Sequence, residues 1–180
     1  MKRRKTLNEK LGRLSLGEFK EAIKTPIVIV LDNVRSLHNV GSIFRTADAF
    51  LIEAVYLCGI TGSPPNKEIQ KTALGATESV EWKHFSSSQE ALAELKQKGY
   101  LLYAIEQTEF AILLHNFIPE KNQKLALVFG NEVKGVEQKV VDVCSDVIEI
   151  PQAGMKHSLN IAVSVGVVLW DIYYKIKIKN

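Results

Sequence analysis

The strongest constraint on this fold is a set of short stretches that are apolar at nearly every position. Ile27–Leu31, Leu101–Ile105 and Leu125–Phe129 each run five residues without a charge. Ala54–Leu57 and Val147–Ile150 are shorter versions, the last interrupted by Glu149. A strand with one wet face alternates apolar and polar side chains, whereas a continuous run fits a strand covered on both faces, as in a parallel sheet. Helical patterns lie between the runs. Val40–Phe50 places Val40, Ile43, Phe44, Ala47 and Leu51 on an apolar side. Ser87-Ser88-Gln89-Glu90 caps a helix ending at Lys98, with Gly99 as its stop. Lys71–Ala76 reads as a short helix closed by glycine, and Val80–Trp82 as a short strand. This alternation predicts an α/β fold, a mostly parallel sheet with helices on both faces.

The 180 residues, 46% of them hydrophobic, fit one compact domain over 26–175, preceded by a basic arm and short helix over 1–25. Ser15-Leu16-Gly17-Glu18 has capping-box spacing for that helix. No run of about 18 apolar residues exists, so no membrane span is expected. Cys58 and Cys144 share no metal-type spacing and no apolar signal segment follows Met1–Lys5, which points to a reducing cytoplasm. The four histidines are scattered, so no metal is expected. A net charge of +3 permits RNA binding without requiring it. The densest basic cluster is the arm, with Lys2, Arg3, Arg4, Lys5, Lys10 and Arg13; Lys175–Lys179 reads as a frayed terminus.

The most informative stretch begins where Pro151 ends the last strand, since proline cannot donate to a sheet ladder. A polar loop follows, in which Gly154 is free to take unusual backbone angles. Ser158 or Asn160 then caps a long apolar helix running to Tyr174. A strand end, a loop and a helix N-terminus make a natural ligand pocket in an α/β protein. The dinucleotide fingerprint G-x-G-x-x-G is absent.

Three stretches in order carry a resemblance: Asn39-Val40-Gly41-Ser42-Ile43-Phe44-Arg45-Thr46-Ala47, Leu127-Val128-Phe129-Gly130-Asn131-Glu132-Val133-Lys134-Gly135, and Ile150-Pro151 followed by Ser158-Leu159-Asn160. They resemble the three motifs of the SpoU (TrmH-like) branch of the SPOUT RNA methyltransferases, here called the first, second and third motifs. The resemblance spans about Ile27 to Trp170. It implies an α/β fold with a C-terminal deep trefoil knot, a homodimer, and methyl transfer from S-adenosylmethionine to a ribose 2′-hydroxyl of tRNA or rRNA. It places the cofactor between loops after Ile105, at Gly130 and Asn131, and from Ile150 through Gln152 to Leu159. Gly130 suits a close approach of backbone to ligand.

The same resemblance makes Arg45, Asn39, Glu132, Ser158 and Asn160 the catalytic residues. Arg45 grips a phosphate beside the acceptor hydroxyl or acts as base. Asn39 orients Arg45 or holds the ribose, and Glu132 pairs with a donor to shape the first motif's loop or acts directly as base. Ser158 and Asn160 bond the 2′-hydroxyl or cap the helix. Arg3, Arg4, Lys134 and Lys156 are candidates for RNA phosphates. Two alternatives stand beside this reading: an RNA-binding protein of the same fold without turnover, and a methyltransferase acting on an RNA base. Val133, where many relatives have glycine, and the loop 152–157 depart from the common family form.

Overall fold

The computed structural model describes residues 3–7 and 10–177. Lys2, Ile178 and Lys179, included in the expectations for the arm and the terminus, lie outside the described residues. Seven strands form one sheet: β1 (Thr25–Asp32), β2 (Ile52–Cys58), β3 (Glu81–Phe85), β4 (Leu101–Ile105), β5 (Ile112–Leu113), β6 (Leu125–Phe129) and β7 (Asp146–Glu149). Their order is β3-β2-β1-β6-β4-β7-β5, and every pairing is parallel.

Alternate side chains of the same strand enter two different cores, which is why the central runs carry no polar position. Ile27, Ile29, Leu31, Leu127 and Phe129 face a core shared with α2 (Leu37–Ala49), α3 (Lys67–Ala73) and α7 (Ile161–Lys177). Val28, Val30, Ala126 and Val128 face the other, covered by α5 (Ser88–Gln97) and α6 (Gln138–Val141). The helices lie on both faces, as the continuous runs predict.

Helix α1 (Leu16–Glu21) has the expected capping box: Ser15 Oγ accepts from the Glu18 amide and the Glu18 carboxylate accepts from the Ser15 amide. Helix α2 starts three residues before the expected Val40, because Ser36 Oγ accepts from the Asn39 amide and caps an earlier turn. Asn39 therefore sits in the first helical turn rather than in a loop. The first motif's Gly41 is there for packing. A Cβ on it would fall 2.1 Å from Thr72 Oγ1 and 2.2 Å from the Ile69 carbonyl, so α2 and α3 cross at backbone contact. The segment expected as one helix over Lys71–Ala76 is instead α3 followed by α4 (Ala76–Ser79), broken at Leu74 and Gly75, both with positive φ. Lys175–Lys177 is helical rather than frayed. Lys175 pairs with Asp171 and donates to the Leu114 carbonyl, tying the end of α7 to a short 3-10 turn.

Candidate active site

Strands β4, β6 and β7 are neighbours and end on the same edge of the sheet, so the loops that leave them meet there. Between these loops and the start of α7 lies a cavity of about 580 Å³. Ile105 lines it after β4, Gly130, Asn131, Glu132 and Lys134 after β6, and Ile150, Gln152, Ser158, Leu159 and Asn160 after β7. Arg45, Asn39, Arg3, Arg4 and Lys156 do not line it.

The wall after β6 is a tight turn. Asn131 and Gly135 exchange backbone hydrogen bonds of 3.1 and 3.0 Å. Asn131 Oδ1 accepts from the amides of Val133 (2.9 Å) and Lys134 (2.8 Å). Gly135 closes the turn at φ +67°, where glycine alone is unstrained. The close approach at Gly130 is made by the chain itself: a Cβ there would lie 1.9 Å from the Gly135 carbonyl carbon. Gly154 makes no use of its freedom to take unusual angles and is not among the residues with positive φ.

A hydrogen-bonded chain joins the three motifs. Glu132 Oε1 accepts from Asn39 Nδ2 at 3.2 Å and from the Ser36 amide at 3.3 Å. Its Oε2 accepts from the Arg35 amide at 3.4 Å, so the carboxylate sits against the amides that open α2. Asn39 Oδ1 in turn accepts from Asn160 Nδ2 at 3.2 Å. Asn160 Oδ1 caps α7 by accepting from the amides of Ala162 (2.9 Å) and Val163 (3.4 Å). Of the two expected caps for α7, Asn160 is the one used. The Ser158 hydroxyl has no hydrogen-bond partner among the described residues.

The pKa of Glu132 reflects this position. Partial removal from water raises it, but bonds from its own amide, from Asn39 and from the Arg35 and Ser36 amides outweigh that and hold it below the ordinary 4.5. A depressed carboxyl contributes stability that is present above its unfolded pKa and is lost as pH falls through its folded one. The tie between the β6 turn and α2 is therefore complete at neutral pH and is lost only in acid, as pH falls through a folded value below the ordinary 4.5. Glu132→Gln should lose less stability than wild type as pH falls from neutral through that acid range, as read by urea midpoints. Parallel curves for the two proteins would show that Glu132 carries no part of the acid sensitivity.

Arg45 is six residues beyond Asn39 on α2, about 240° round the helix and about 9 Å along it. It is exposed and lines two other cavities. One, of about 520 Å³, includes Thr46, Phe50 and Lys71; the other, of about 780 Å³, lies under the segment Leu11–Leu16. Arg45 makes no ion pair with Asp48, which accepts from Ser79 Oγ instead.

Two lining residues outside the motifs are Glu106 and Gln107. Glu106 accepts from the Val136 amide (2.9 Å) and from the Gln107 amide (2.8 Å). Gln107 Nε2 donates to the His157 carbonyl at 2.7 Å. Their signal in the sequence is slight: two polar residues directly after a buried strand. Among the described residues, no group of three or more His, Cys, Asp or Glu is placed to hold a metal ion. Burial pushes the thiols of Cys58 and Cys144 up to about 12, so neither is an available nucleophile.

A parallel α/β sheet with a polar-walled cavity beyond its strand ends defines an α/β ligand-binding domain. Residues 26–170 match the SpoU rRNA Methylase family, and the chain belongs to it. It is 30% identical over 155 residues to the 23S rRNA (guanosine-2′-O-)-methyltransferase RlmB of Neisseria meningitidis, covering 86% of this chain and 61% of that one. To the Vibrio cholerae RlmB it is 31% identical over 164 residues, covering 89% and 64%. The chain thus spans somewhat less than two thirds of these relatives. Among solved structures, the A. aeolicus TrmH/SpoU tRNA modifying enzyme superposes with a TM-score of 0.78 at 25% identity, covering 89% of this chain and 81% of that one. The AdoMet-bound rRNA methyltransferase of Sinorhizobium meliloti superposes at 0.77 and 24% identity, covering 87% and 59%, and shares the fold.

Proposed function

We propose that this chain transfers a methyl group from S-adenosylmethionine to a ribose 2′-hydroxyl of tRNA or rRNA. The observation that carries this reading is the Glu132–Asn39–Asn160 chain, which brings the polar residues of three distant motifs to one side of one cavity. The relatives named as guanosine-2′-O-methyltransferases support it. So does the cavity, whose volume falls in the range of roughly 300–1,000 Å³ usual for small-ligand pockets. Ile105, Ile150 and Leu159 supply an apolar wall for an adenine, and Glu106 and Glu132 are carboxylates suited to a cationic ligand. When bound, S-adenosylmethionine supplies an electrophilic methyl carbon.

The protein's task is to make a ribose hydroxyl nucleophilic and aligned. Ser158 and Asn160 lie on the cavity wall and can hydrogen-bond the 2′-hydroxyl, the group that marks RNA. Arg45 stays protonated and suits a bidentate grip on the adjacent phosphate better than proton abstraction. Lys134, Lys156, Arg3 and Arg4 contact RNA phosphates in this reading, adding affinity without sequence choice.

Arg45 lies outside the cavity lined by Glu132, Ser158 and Asn160, and unlike Asn39 it has no hydrogen bond into that cluster; a second copy resolves this separation. Helix α7 exposes Val163 (51%), Val167 (39%), Trp170 (55%) and Tyr174 (43%), spaced four, three and four residues as one stripe. Trp170 and Tyr173 make tilted aromatic contacts with Phe50, which lines a cavity with Arg45. In the proposed homodimer this stripe is the interface, and Arg45 at its margin serves the partner's cavity. A cytoplasmic location and the trefoil threading of the C-terminal chain belong to the same proposal. Among the described residues no helix is long and apolar enough to cross a membrane.

The test is methyl transfer from labelled S-adenosylmethionine to total RNA, followed by nucleoside digestion. Label in ribose is expected. Label in a base supports the base-methyltransferase alternative, and none despite cofactor binding supports an RNA-binding protein without turnover. For the interface, Trp170→Glu should convert a dimer to a monomer in sedimentation, with methyl transfer lost and cofactor affinity kept. A wild type that is monomeric at micromolar concentration would remove the dimer from the proposal.

A further inference from the structure

We propose that Gln107 is a positioning residue that tethers the third-motif loop in its binding conformation before ligand arrives. The inference rests on reading the cavity as the S-adenosylmethionine site. The loop Pro151–Leu159 is exposed along its whole length and has no regular structure. It is anchored by β7 at one end and by the Asn160 cap of α7 at the other. Among the described residues, the only hydrogen bond joining Pro151–Leu159 to the rest of the chain is the one from Gln107 Nε2 to the His157 carbonyl. Yet Gln152, His157, Ser158 and Leu159 all line the cavity. A wall of this kind costs entropy to order, and a ligand that must order it binds more weakly than one that finds it ordered.

Gln107 is well placed to set that order because its own position is fixed. The Glu106 amide donates to the Ile148 carbonyl at 3.2 Å, extending the β4–β7 pairing by one residue. The Glu106 carboxylate then holds the Gln107 amide with one oxygen and the Val136 amide with the other. Gly135 packs beneath it so closely that a Cβ would lie 2.0 Å from Oε2. The dipeptide after β4 thus braces the second-motif turn through Glu106 and the third-motif loop through Gln107. A hydrogen-bond donor is required at 107, since the partner is a carbonyl and only a donor can meet it.

The discriminating variant is Gln107→Met, close in shape and without a donor. Three quantities are read on the intact chain: amide exchange of residues 152–159 without ligand, S-adenosylmethionine affinity by calorimetry, and turnover at saturating cofactor. Exchange in the loop should quicken, and the dissociation constant should rise about three- to tenfold, the usual worth of one hydrogen bond. Turnover at saturation should stay within about twofold, because the filled cavity orders the loop itself. A purely structural residue would instead lower the melting temperature and leave the affinity of the folded protein alone. Unchanged exchange and affinity, or lost turnover with affinity intact, would overturn the tether. Quickened exchange in a protein that binds no S-adenosylmethionine would support the tether and overturn the cofactor reading alone.

Discussion

Arg45→Ala should lower methyl transfer by about a hundredfold or more while S-adenosylmethionine affinity stays within about twofold. The two halves of this expectation come from different observations. Affinity is spared because Arg45 lines none of the cavity after β4, β6 and β7. Stability is spared because the side chain is exposed and makes no ion pair among the described residues. Turnover is not spared if the guanidinium holds the phosphate next to the acceptor ribose, since a misplaced hydroxyl forfeits most of the gain from alignment. Arg45→Lys keeps the charge and loses the fork, so it should recover only part of the rate. Full activity in the lysine variant would sink the fork-geometry argument. Full activity in the alanine variant would remove Arg45 from the mechanism. Mixing Arg45→Ala with a second inactive variant altered at Ser158 separates action within one subunit from action across two. Restored activity in the mixture is expected if Arg45 serves the partner's cavity.

Much of the sheet was legible because its strands are buried on both faces. The runs Leu101–Ile105 and Leu125–Phe129 coincide with β4 and β6 residue for residue. The elements that escaped are those with little internal pattern. Strand β5 has two residues and α6 has four, too few for any period to register. The start of α2 was misplaced because Ser36 caps a turn inside a stretch that reads as polar loop. Strand order was not legible at all: β1 pairs with β6 across nearly a hundred residues, and no local signal encodes that choice. The site divides along the same line. The motif residues could be named from the chain, but their partners could not. Glu132 meets Asn39 at a separation of 93 residues, and Asn39 meets Asn160 at 121. Helix α7, apolar nearly all round, proves two-sided: Ile161, Val165, Val168, Leu169 and Ile172 are buried, and the stripe through Trp170 is not.

Gly130→Ala should abolish measurable cofactor binding and destabilise the protein by about 3–5 kcal/mol. The added methyl would lie 1.9 Å from the Gly135 carbonyl carbon, 2.0 Å from the Val136 nitrogen and 2.2 Å from the Gly135 oxygen. All three are backbone atoms, so no side chain can swing aside. Gly135 cannot retreat cheaply either, being held by the paired bonds to Asn131 and pressed against the Glu106 carboxylate. The turn must open, and opening it breaks the Asn131–Gly135 bonds and the Glu106–Val136 bond. Glu132 moves with the turn, so its bonds to Asn39 and to the amides opening α2 go too. A turn that stayed closed would carry the overpacking, about 1–3 kcal/mol or more against backbone; one that opens relieves it but gives up the hydrogen bonds, each worth about 0.5–1.5 kcal/mol and less where water replaces the partner. The strands end before this turn, so the sheet should survive and the variant should still unfold cooperatively. Gly154→Ala is the matched control within the third-motif loop: a Cβ there meets nothing within 4 Å and the backbone is not at positive φ. Its stability should stay within about 0.5 kcal/mol of wild type. Urea midpoints and cofactor titrations of the two variants side by side measure the difference. Wild-type affinity in Gly130→Ala would mean that the second-motif turn is not a wall of the binding site.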